Sequence, residues 1–364
     1  PVMNYYAGLF STSMPDLNMD CQDAREEYKK VLKFWLDKGV SGFRFDAAGH
    51  IYNANEVEPG TETITKSIAF WKEMTDYVKS VKSDAYCVGE VWEPTSVRAQ
   101  YMAGLGSNFH FDLGTLIKDI INNQDLNDRD GYVETDPKRF NGYARALEGD
   151  YAMFAKNNPD YIDAPFLSNH DQVRIISDLR NKPENMKMAA NMYILIEGIP
   201  FIYYGEEICM RSGKDDPSKR TALVWNVEGK DKMMPMGVNN MDNGKVGIYN
   251  RKTVPISVQE KDPESVLQYY KRLIRVKTAH PALLHGRLKS LGMNNPTVDS
   301  YKMEADEEIA FVAHNVSSMN TQVCELPEEF MDYPLVFASK AGVKVEDGKV
   351  TLPPLSSVVF AKNK

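Results

Sequence analysis

The sequence predicts an α/β protein that contains a parallel sheet, with a separate antiparallel β domain in its C-terminal part. Strand-like and helix-like segments alternate over residues 23–278, which favours either a (β/α) barrel or an open doubly wound sheet. From Pro281 onward the runs become short and alternating, and Gly, Pro and Asn interrupt them. Several predicted strands end in acidic residues, which indicates a functional edge of the sheet.

The composition is typical of a soluble protein with one large domain and one small domain. The chain has 364 residues, of which 43% are hydrophobic and 26% are charged, so it can bury a sizeable core. Its net charge of −8 argues against a nucleic-acid or anionic-membrane partner and suits a neutral ligand. No apolar run reaches transmembrane length. The four cysteines are far apart without metal-ligand spacing, so we expect mostly packed thiols.

Residues 1–20 are predicted to form a loop. The predicted helices that follow carry apolar residues at three- and four-residue spacing. In the first helix these residues are Tyr28, Val31, Leu32, Trp35 and Leu36. Helices are predicted over 23–38, 61–81, 113–122, 138–157, 186–196 and 263–278. Four of the five later helices, all but the one over 138–157, follow a predicted strand, as the units of an α/β sheet do.

The predicted strands are short runs rich in β-branched and aromatic residues. In the α/β part they cover 40–47, 85–92, 108–113, 164–171 and 200–206. In the C-terminal part the clearest runs are 309–315, 323–326 and 350–360. The first group predicts the parallel sheet, and the second group predicts the antiparallel β domain.

The first of these strands places charge where burial is expected. Phe43 and Phe45 alternate with Arg44 and Asp46, so the aromatic pair faces one side and the charged pair faces the other. A buried charge pair must be hydrogen-bonded or must take part in the protein's function, because an unpartnered buried carboxylate costs several kcal/mol. A structural ion pair within the strand is the alternative interpretation.

Three carboxylates occupy corresponding places near the C-terminal ends of predicted strands: Asp46, Glu90 and Asp171. In a parallel barrel those strand ends form one rim, where active sites lie. Glycosidic cleavage needs such acids, because one carboxylate attacks the anomeric carbon while a second, with a raised pKa, protonates the leaving oxygen. Repulsion between the two would help to keep the acid protonated. The alternative for each is a solvated carboxylate at a strand end.

Several motifs occur in one order along the chain: MPDLN at 14–18, GFRFDAAGH at 42–50, GEVW at 89–92, FLSNHD at 166–171 and LPPLSSVVF at 352–360. Together they resemble the motifs of the α-amylase superfamily, glycoside hydrolase family 13. The resemblance implies a (β/α)8 TIM barrel followed by a C-terminal antiparallel β-sandwich domain. Residues 1–20 would end the inserted B domain, 21–280 would supply the fourth to eighth barrel strands, and 281–364 would form the C-terminal domain.

The family pattern has three βα units and most of the B domain before the MPDLN motif. Their absence predicts that an N-terminal segment of the same enzyme is a missing partner. Because eight strands close such a barrel, we expect the isolated polypeptide to have an exposed edge, lower stability and little or no activity.

The resemblance assigns roles to the acids. Asp46 would be the nucleophile, Glu90 the general acid/base and Asp171 the third acid, which holds sugar hydroxyls and stabilises the transition state. Arg44 would orient Asp46 and keep its pKa low, a role that agrees with their shared face.

Other substrate contacts are implied in the same way. His170 would bond sugar hydroxyls, Asn169 would support the same rim, and His50 would line the cleft. Trp92 could stack on a sugar ring, and Trp225 could do the same or pack in the core. Residues 210–245 read as a mobile loop on the rim.

Calcium is a candidate cofactor, and no organic cofactor is expected. Asp16 and the backbone carbonyl of His50 resemble calcium ligands of the family, although a histidine in this place could also simply be packed. Residues 125–131 read as an acidic turn rather than a calcium loop, because Arg129 stands where a ligand oxygen is needed. Gly49 replaces a lysine that many α-amylases carry, so one contact on the leaving-group side is absent.

Three functions remain open on this basis. The first is a retaining hydrolase that cleaves α-1,4-glucosidic bonds in starch or maltodextrins. The second is an α-glucosidase, a cyclomaltodextrinase or a transglycosylase that acts on short α-glucans. The third is a non-catalytic amylase-like binding protein, a class that usually loses acids of the triad. An extracellular location is favoured over a cytoplasmic one.

Overall fold

The computed structural model describes residues 6–52, 60–126, 142–226 and 249–364. Its helices, in chain order, are α1 (Gln22–Asp37), α2 (Thr61–Val81), α3 (Thr95–Leu105), α4 (Phe111–Asn123), α5 (Tyr143–Asn157), α6 (Ile175–Asp178), α7 (Pro183–Ile194), α8 (Asp216–Lys219), α9 (Ile256–Gln259), α10 (Val266–Ala279) and α11 (Pro281–His285). Its strands are β1 (Gly42–Phe45), β2 (Tyr86–Gly89), β3 (Ser107–His110), β4 (Ile162–Pro165), β5 (Arg287–Asn295), β6 (Val298–Glu304), β7 (Glu308–Asn315), β8 (Gln322–Glu325), β9 (Leu335–Ala338), β10 (Lys344–Glu346), β11 (Lys349–Leu352) and β12 (Ser356–Asn363). None of the described helices combines the length and apolarity that a bilayer crossing requires.

The chain divides into two compact units. The first unit comprises residues 1–109 and 150–164, and the second comprises residues 110–149 and 165–364. The first unit therefore contains α1, α2, α3 and nearly all of β1 to β4. The second contains α4, α6 to α11 and all strands from β5 onward.

The first unit is built on a four-stranded sheet in the order β1-β2-β3-β4. β1 pairs with β2 in parallel, and β2 pairs with β3 in parallel. Helix α2 covers the sheet, where Trp71 packs its ring 4.7 Å from that of Phe45 and both side chains are buried. The same core contains Met74 and Val78 of α2. A parallel sheet covered by its crossover helices is the arrangement that the alternating pattern predicts.

Helix α1 presents apolar side chains in two directions. Leu32 and Leu36 are buried in the core of the first unit, whereas Val31, Phe34 and Trp35 are each about half exposed. These three lie at helical spacing on one face. β1 is the end strand of its sheet, so its outer edge pairs with no described strand.

Gly42 begins β1 at a point where the two neighbouring backbones come very close. A Cβ atom at this position would lie 1.7 Å from the carbonyl oxygen of Tyr86 on β2. No side chain shift can relieve such a clash, because the obstacle is backbone. The close pairing of β1 with β2 thus depends on the glycine.

We expect Gly42→Ala to lower the free energy of unfolding by about 3 kcal/mol or more, since the clash forces the two strands apart. Urea denaturation followed by circular dichroism measures the change. Gly60→Ala is the matched control, because nothing lies within 4 Å of a Cβ there. An equal, small loss in both variants would contradict this account of β1.

The second unit does not contain the strand predicted over 200–206. Phe201 forms a single parallel bridge with Phe166, after which the chain turns at Gly205 (φ +87°) into a short 3-10 helix over Glu206–Ile208. The side chains of Phe201, Ile202 and Tyr203 are half-buried and that of Tyr204 is exposed. The two tyrosines pack against the guanidinium of Arg174. That prediction was wrong because a short apolar run has the same composition in a strand and in a packed turn.

A buried carboxylic acid lies at this turn. The Oε1 atom of Glu206 accepts hydrogen bonds from Tyr193 of α7 (2.6 Å) and Tyr270 of α10 (2.8 Å). Burial raises the pKa of Glu206 to about 7, although the two tyrosine hydrogen bonds and Arg174 pull it down. The folded protein therefore holds a proton on Glu206 at pH values where the unfolded chain has released it.

Glu206 should make the protein less stable as pH rises from about 4.5 to about 7, since the folded state binds the extra proton across this window. The loss should approach about 3 kcal/mol. We expect Glu206→Gln to flatten this slope, whereas Glu264→Gln at the surface should not. Chemical denaturation of both variants at a series of pH values tests the prediction, and parallel slopes for wild type and Glu206→Gln would contradict it.

The second unit ends in two antiparallel sheets, one in the order β5-β6-β7-β12-β9 and one in the order β10-β11-β8. Phe311 and Phe360 of the larger sheet share a buried cluster with Cys324 and Val350 of the smaller one. This is the sandwich-like arrangement that the alternating runs predict.

Smaller differences concern element boundaries and the cysteines. The prediction missed α3 and the short helices α6, α8, α9 and α11. Cys87 and Cys324 are buried and Cys209 is half-buried, but Cys21 is exposed. The part of the predicted helix over 138–141 lies outside the described residues, as do residues 127–131 of the predicted acidic turn.

Candidate active site

The C-terminal ends of β1 and β2 bring two carboxylates to one arginine. Asp46 follows β1 directly and Glu90 follows β2 directly, and the strands are parallel neighbours. Arg44 on β1 contacts both acids: its Nη1 donates to Oδ1 of Asp46, and its Nη2 lies 2.7 Å from Oε2 of Glu90. One guanidinium therefore bridges the two carboxylates. Its planar fork of donors holds both carboxylates next to a single positive charge.

Backbone hydrogen bonds fix Glu90 against the end of β1. Its N–H donates to the carbonyl of Phe45 (2.9 Å), and its carbonyl accepts from the N–H of Ala48 (2.8 Å). The carboxylate also accepts from the N–H of Ala47 (3.1 Å). Ala47 adopts a left-handed conformation (φ +44°), which is uncommon for a residue with a Cβ. This turn aims the N–H of Ala47 at the acid.

The two acids lie in different environments. The side chain of Glu90 is 9% exposed, whereas that of Asp46 is 78% exposed. Burial raises the pKa of Glu90, and a side-chain hydrogen bond with Asp46 raises it further, while Ala47 and Arg44 lower it. The predicted raised pKa is thus present, but burial rather than repulsion by Asp46 is its main cause. Such a pair can divide the roles of acid and nucleophile.

Two buried aromatic side chains of the core contact backbone carbonyls of the turn after Asp46. Trp71 donates its indole N–H to the carbonyl of Ala48 (2.8 Å), and the hydroxyl of Tyr101 lies 3.4 Å from the carbonyl of Gly49. A Cβ at Gly49 would meet only ordinary contacts, with Val91 at 3.7 Å. The glycine is therefore not required by the local packing, and its role in setting the substrate contacts stays a prediction.

His50 and Asp16 line one cavity of about 670 Å³ in the first unit. His50 is half-buried, its ring lies edge-on to Phe10, and its Nδ1 has no hydrogen-bond partner among the described residues. Asp16 accepts from the N–H of Leu9 (3.0 Å). Calcium takes six to eight oxygen ligands, and no described group of three or more His, Cys, Asp or Glu side chains could hold a metal. Two ligands do not complete a calcium site, so calcium binding at Asp16 and His50 stays a prediction.

The second unit holds the other predicted site residues together. Asn169 caps a turn by accepting from the N–H of Asp171 (2.9 Å), and Nε2 of His170 lies 3.1 Å from Oδ2 of Asp171. Two residues that the sequence did not single out complete this group. Arg220 donates to Oδ1 of Asp171 (2.6 Å), and Lys219 donates to its carbonyl (3.0 Å).

Two family models match the chain in succession. The model described as "Alpha amylase, catalytic domain" matches residues 2–286, and the model described as "Alpha-amylase SusG C-terminal domain" matches residues 298–359. This chain belongs to the alpha-amylase family, glycoside hydrolase family 13. The predicted fold class, a (β/α)-barrel catalytic domain followed by a C-terminal antiparallel sheet domain, is confirmed by this match.

Similar proteins of the alpha-amylase family carry more than one activity in their names. "Alpha-amylase 3" of Dictyoglomus thermophilum is 35% identical over 360 residues, covering 98% of this chain and 65% of the relative. "4-alpha-glucanotransferase" of Thermotoga maritima is 26% identical over 319 residues, covering 86% of this chain and 63% of the relative. This chain therefore spans less than two thirds of the length of either relative.

A solved structure of an alpha-amylase from H. orenii also resembles the chain. It superimposes with a TM-score of 0.79 at 26% sequence identity, and the match covers 98% of this chain and 67% of that one. The likeness therefore extends over nearly all of the chain.

The remaining predicted contacts of this alpha-amylase family member fall into two groups. Trp92, in the first unit, is 53% exposed and follows the Glu90 turn by two residues. Trp225, in the second unit, is 56% exposed, so its alternative as a core residue was wrong. Residues 227–245 of the predicted rim loop lie outside the described residues, while its earlier part contains α8.

Proposed function

We propose that this protein is a retaining glycoside hydrolase that cleaves α-1,4-glucosidic bonds in starch or maltodextrins. The observation that carries the proposal is the bridge from Arg44 to both Asp46 and Glu90. Retaining glycosidases hold their two carboxyl groups roughly 5 to 5.5 Å apart. One guanidinium that contacts both acids keeps them close to each other, which supports the proposal. Inverting enzymes need a wider gap for a water molecule.

In the first step, an oxygen of Asp46 attacks the anomeric carbon, and the bond from that carbon to the leaving oxygen breaks. Glu90 gives its proton to the leaving oxygen, so the departing glucan is a neutral alcohol. The exposure of Asp46 and the raised pKa of Glu90 support this division of roles. Arg44 holds Asp46 in position by charge and hydrogen bonding.

In the second step, Glu90 is a carboxylate and takes a proton from water. The water oxygen attacks the anomeric carbon, and the bond to Asp46 breaks, which restores both acids. We assign to Asp171 and His170 the binding of sugar hydroxyls, with Asn169 as support. Trp92 and His50 would bind the glucan beside the reacting sugar.

The alternative is transfer to a second sugar or action on short α-glucans. The name of the Thermotoga relative supports it, because a glucanotransferase uses the same first step and replaces water by a sugar hydroxyl. Product profiles on maltoheptaose and cyclodextrin separate the two, since a transferase makes longer chains and a hydrolase does not.

The direct test of the proposal is the release of reducing sugar from starch by the full-length protein. We expect release that grows linearly with time and with enzyme concentration. Binding of maltodextrin without any hydrolysis would instead favour the amylase-like binding protein, and the retention of both Asp46 and Glu90 argues against that outcome.

A further inference from the structure

Asp171 makes close contacts through both carboxylate oxygens. Oδ1 lies 2.6 Å from Nη2 of Arg220, and Oδ2 lies 3.1 Å from Nε2 of His170. Arg220 also donates from its Nε to the carbonyl of His170 (3.1 Å). One guanidinium therefore contacts the backbone of His170 and the carboxylate of Asp171. Lys219 donates to the carbonyl of Asp171 (3.0 Å). Contacts to both backbone and side-chain atoms thus hold His170 and Asp171 in place.

The backbone that carries Arg220 is itself anchored on both sides. The hydroxyl of Tyr203 donates to the carbonyl of Lys219 (2.9 Å), and the hydroxyl of Tyr204 donates to the carbonyl of Thr221 (2.8 Å). Helix α8, which ends just before Arg220, is capped by the side chain of Asp215. Lys219 is only 8% exposed, so this segment is built into the second unit.

A buried arginine links these tyrosines back to the segment that contains Asp171. The guanidinium of Arg174 lies 4.7 Å from the ring centroids of both Tyr203 and Tyr204, and its Nη1 donates to the carbonyl of Tyr204 (2.6 Å). Arg174 is three residues beyond Asp171 and is 2% exposed. The contacts therefore form a closed ring from Asp171 through Arg174, the two tyrosines and Arg220 back to Asp171.

We propose that Arg220 is a positioning residue, which fixes the rotamer of the Asp171 carboxylate so that the acid meets a glucan hydroxyl in one geometry. The arginine acts through Asp171 and needs no contact with the sugar. A fork of donors on a carboxylate and on the adjacent carbonyl sets the direction of the side chain, which a single ammonium cannot do. The kinetic part of this inference rests on the proposed function, whereas the positioning itself does not.

The positioning is tested first in the resting protein. A carbodiimide with glycine ethyl ester labels accessible carboxylates, and peptide mass spectrometry reports the extent at Asp171. We expect Arg220→Gln to raise labelling of Asp171 several-fold and Arg220→Lys to raise it less. Lys214→Gln, an exposed change in the same segment, is the control and should leave labelling as in wild type. Equal labelling in all the proteins would overturn the proposal.

The second test is a double-mutant cycle on starch hydrolysis. We expect Arg220→Gln to lower kcat about 100-fold, since a misplacement of about 1 Å costs that much, while KM and the melting temperature change little. If Arg220 acts through Asp171, the double variant with Asp171→Asn is no slower than Asp171→Asn alone. Additive losses would overturn the proposal in favour of direct sugar contact. A wild type that hydrolyses no glucan would contradict the proposed function, and the labelling result would still decide the positioning.

Discussion

Asp46→Asn is expected to reduce starch hydrolysis by the full-length protein by about 10⁴-fold or more, because the amide cannot form the covalent bond to the anomeric carbon. The substitution is nearly isosteric, and Asp46 is largely exposed, so the fold should survive. Arg44 would keep its contact with Glu90. Initial rates of reducing-sugar release measure the loss.

The control for this variant is Asp84→Asn, an exposed aspartate of the first unit that precedes β2 rather than following it. It should keep full activity. If Asp46→Asn retained more than about one hundredth of the wild-type rate with an unchanged product pattern, Asp46 would not be the nucleophile, because loss of a covalent catalyst costs far more.

Glu90→Gln is expected to lower starch hydrolysis by about 10³-fold, because the amide cannot protonate the leaving oxygen. Glucosides with an activated aryl leaving group need no proton, so their first step should slow much less. A rapid burst of phenol release, followed by slow turnover, is the expected signature, since the second step still lacks its base. Stopped-flow absorbance measures both phases.

The pH dependence offers a second readout of the same residue. Burial raises the pKa of Glu90, so the protonated acid persists to higher pH than an ordinary glutamate would allow. The fall in kcat/KM on the basic side should reflect this raised pKa and should disappear in Glu90→Gln. Glu27→Gln on the exposed surface of α1 is the control and should keep the wild-type profile. An equal slowing of both substrate classes by Glu90→Gln would contradict its role as the acid.

The local geometry around Asp46 and Glu90 could be predicted from the sequence because it depends on short-range rules. The alternation of Phe43, Arg44, Phe45 and Asp46 sets two faces of a strand, and the structure places the arginine and the aspartate in contact. The position of Glu90 beside Asp46 follows from parallel pairing of consecutive strands. Both rules act over a few residues or a single crossover.

Contacts that depend on turns could not be predicted from the sequence by these rules. Arg220 lies 49 residues beyond Asp171, in a segment without apolar periodicity, so nothing local in the sequence joins the two. The left-handed conformation of Ala47 lets its N–H donate to the carboxylate of Glu90 and does not follow from any preference of alanine. The main cause of the raised pKa of Glu90, burial, also requires the packed structure.

The central claim is that Asp46 becomes covalently linked to the sugar while Glu90 supplies the proton. Incubation of the full-length protein with a 5-fluoro-α-glucosyl fluoride, followed by peptide mass spectrometry, tests it directly. The account predicts loss of fluoride and one fluoroglucosyl group on the peptide that contains Asp46, at that side chain. Turnover of the reagent with an adduct on a different residue would contradict it.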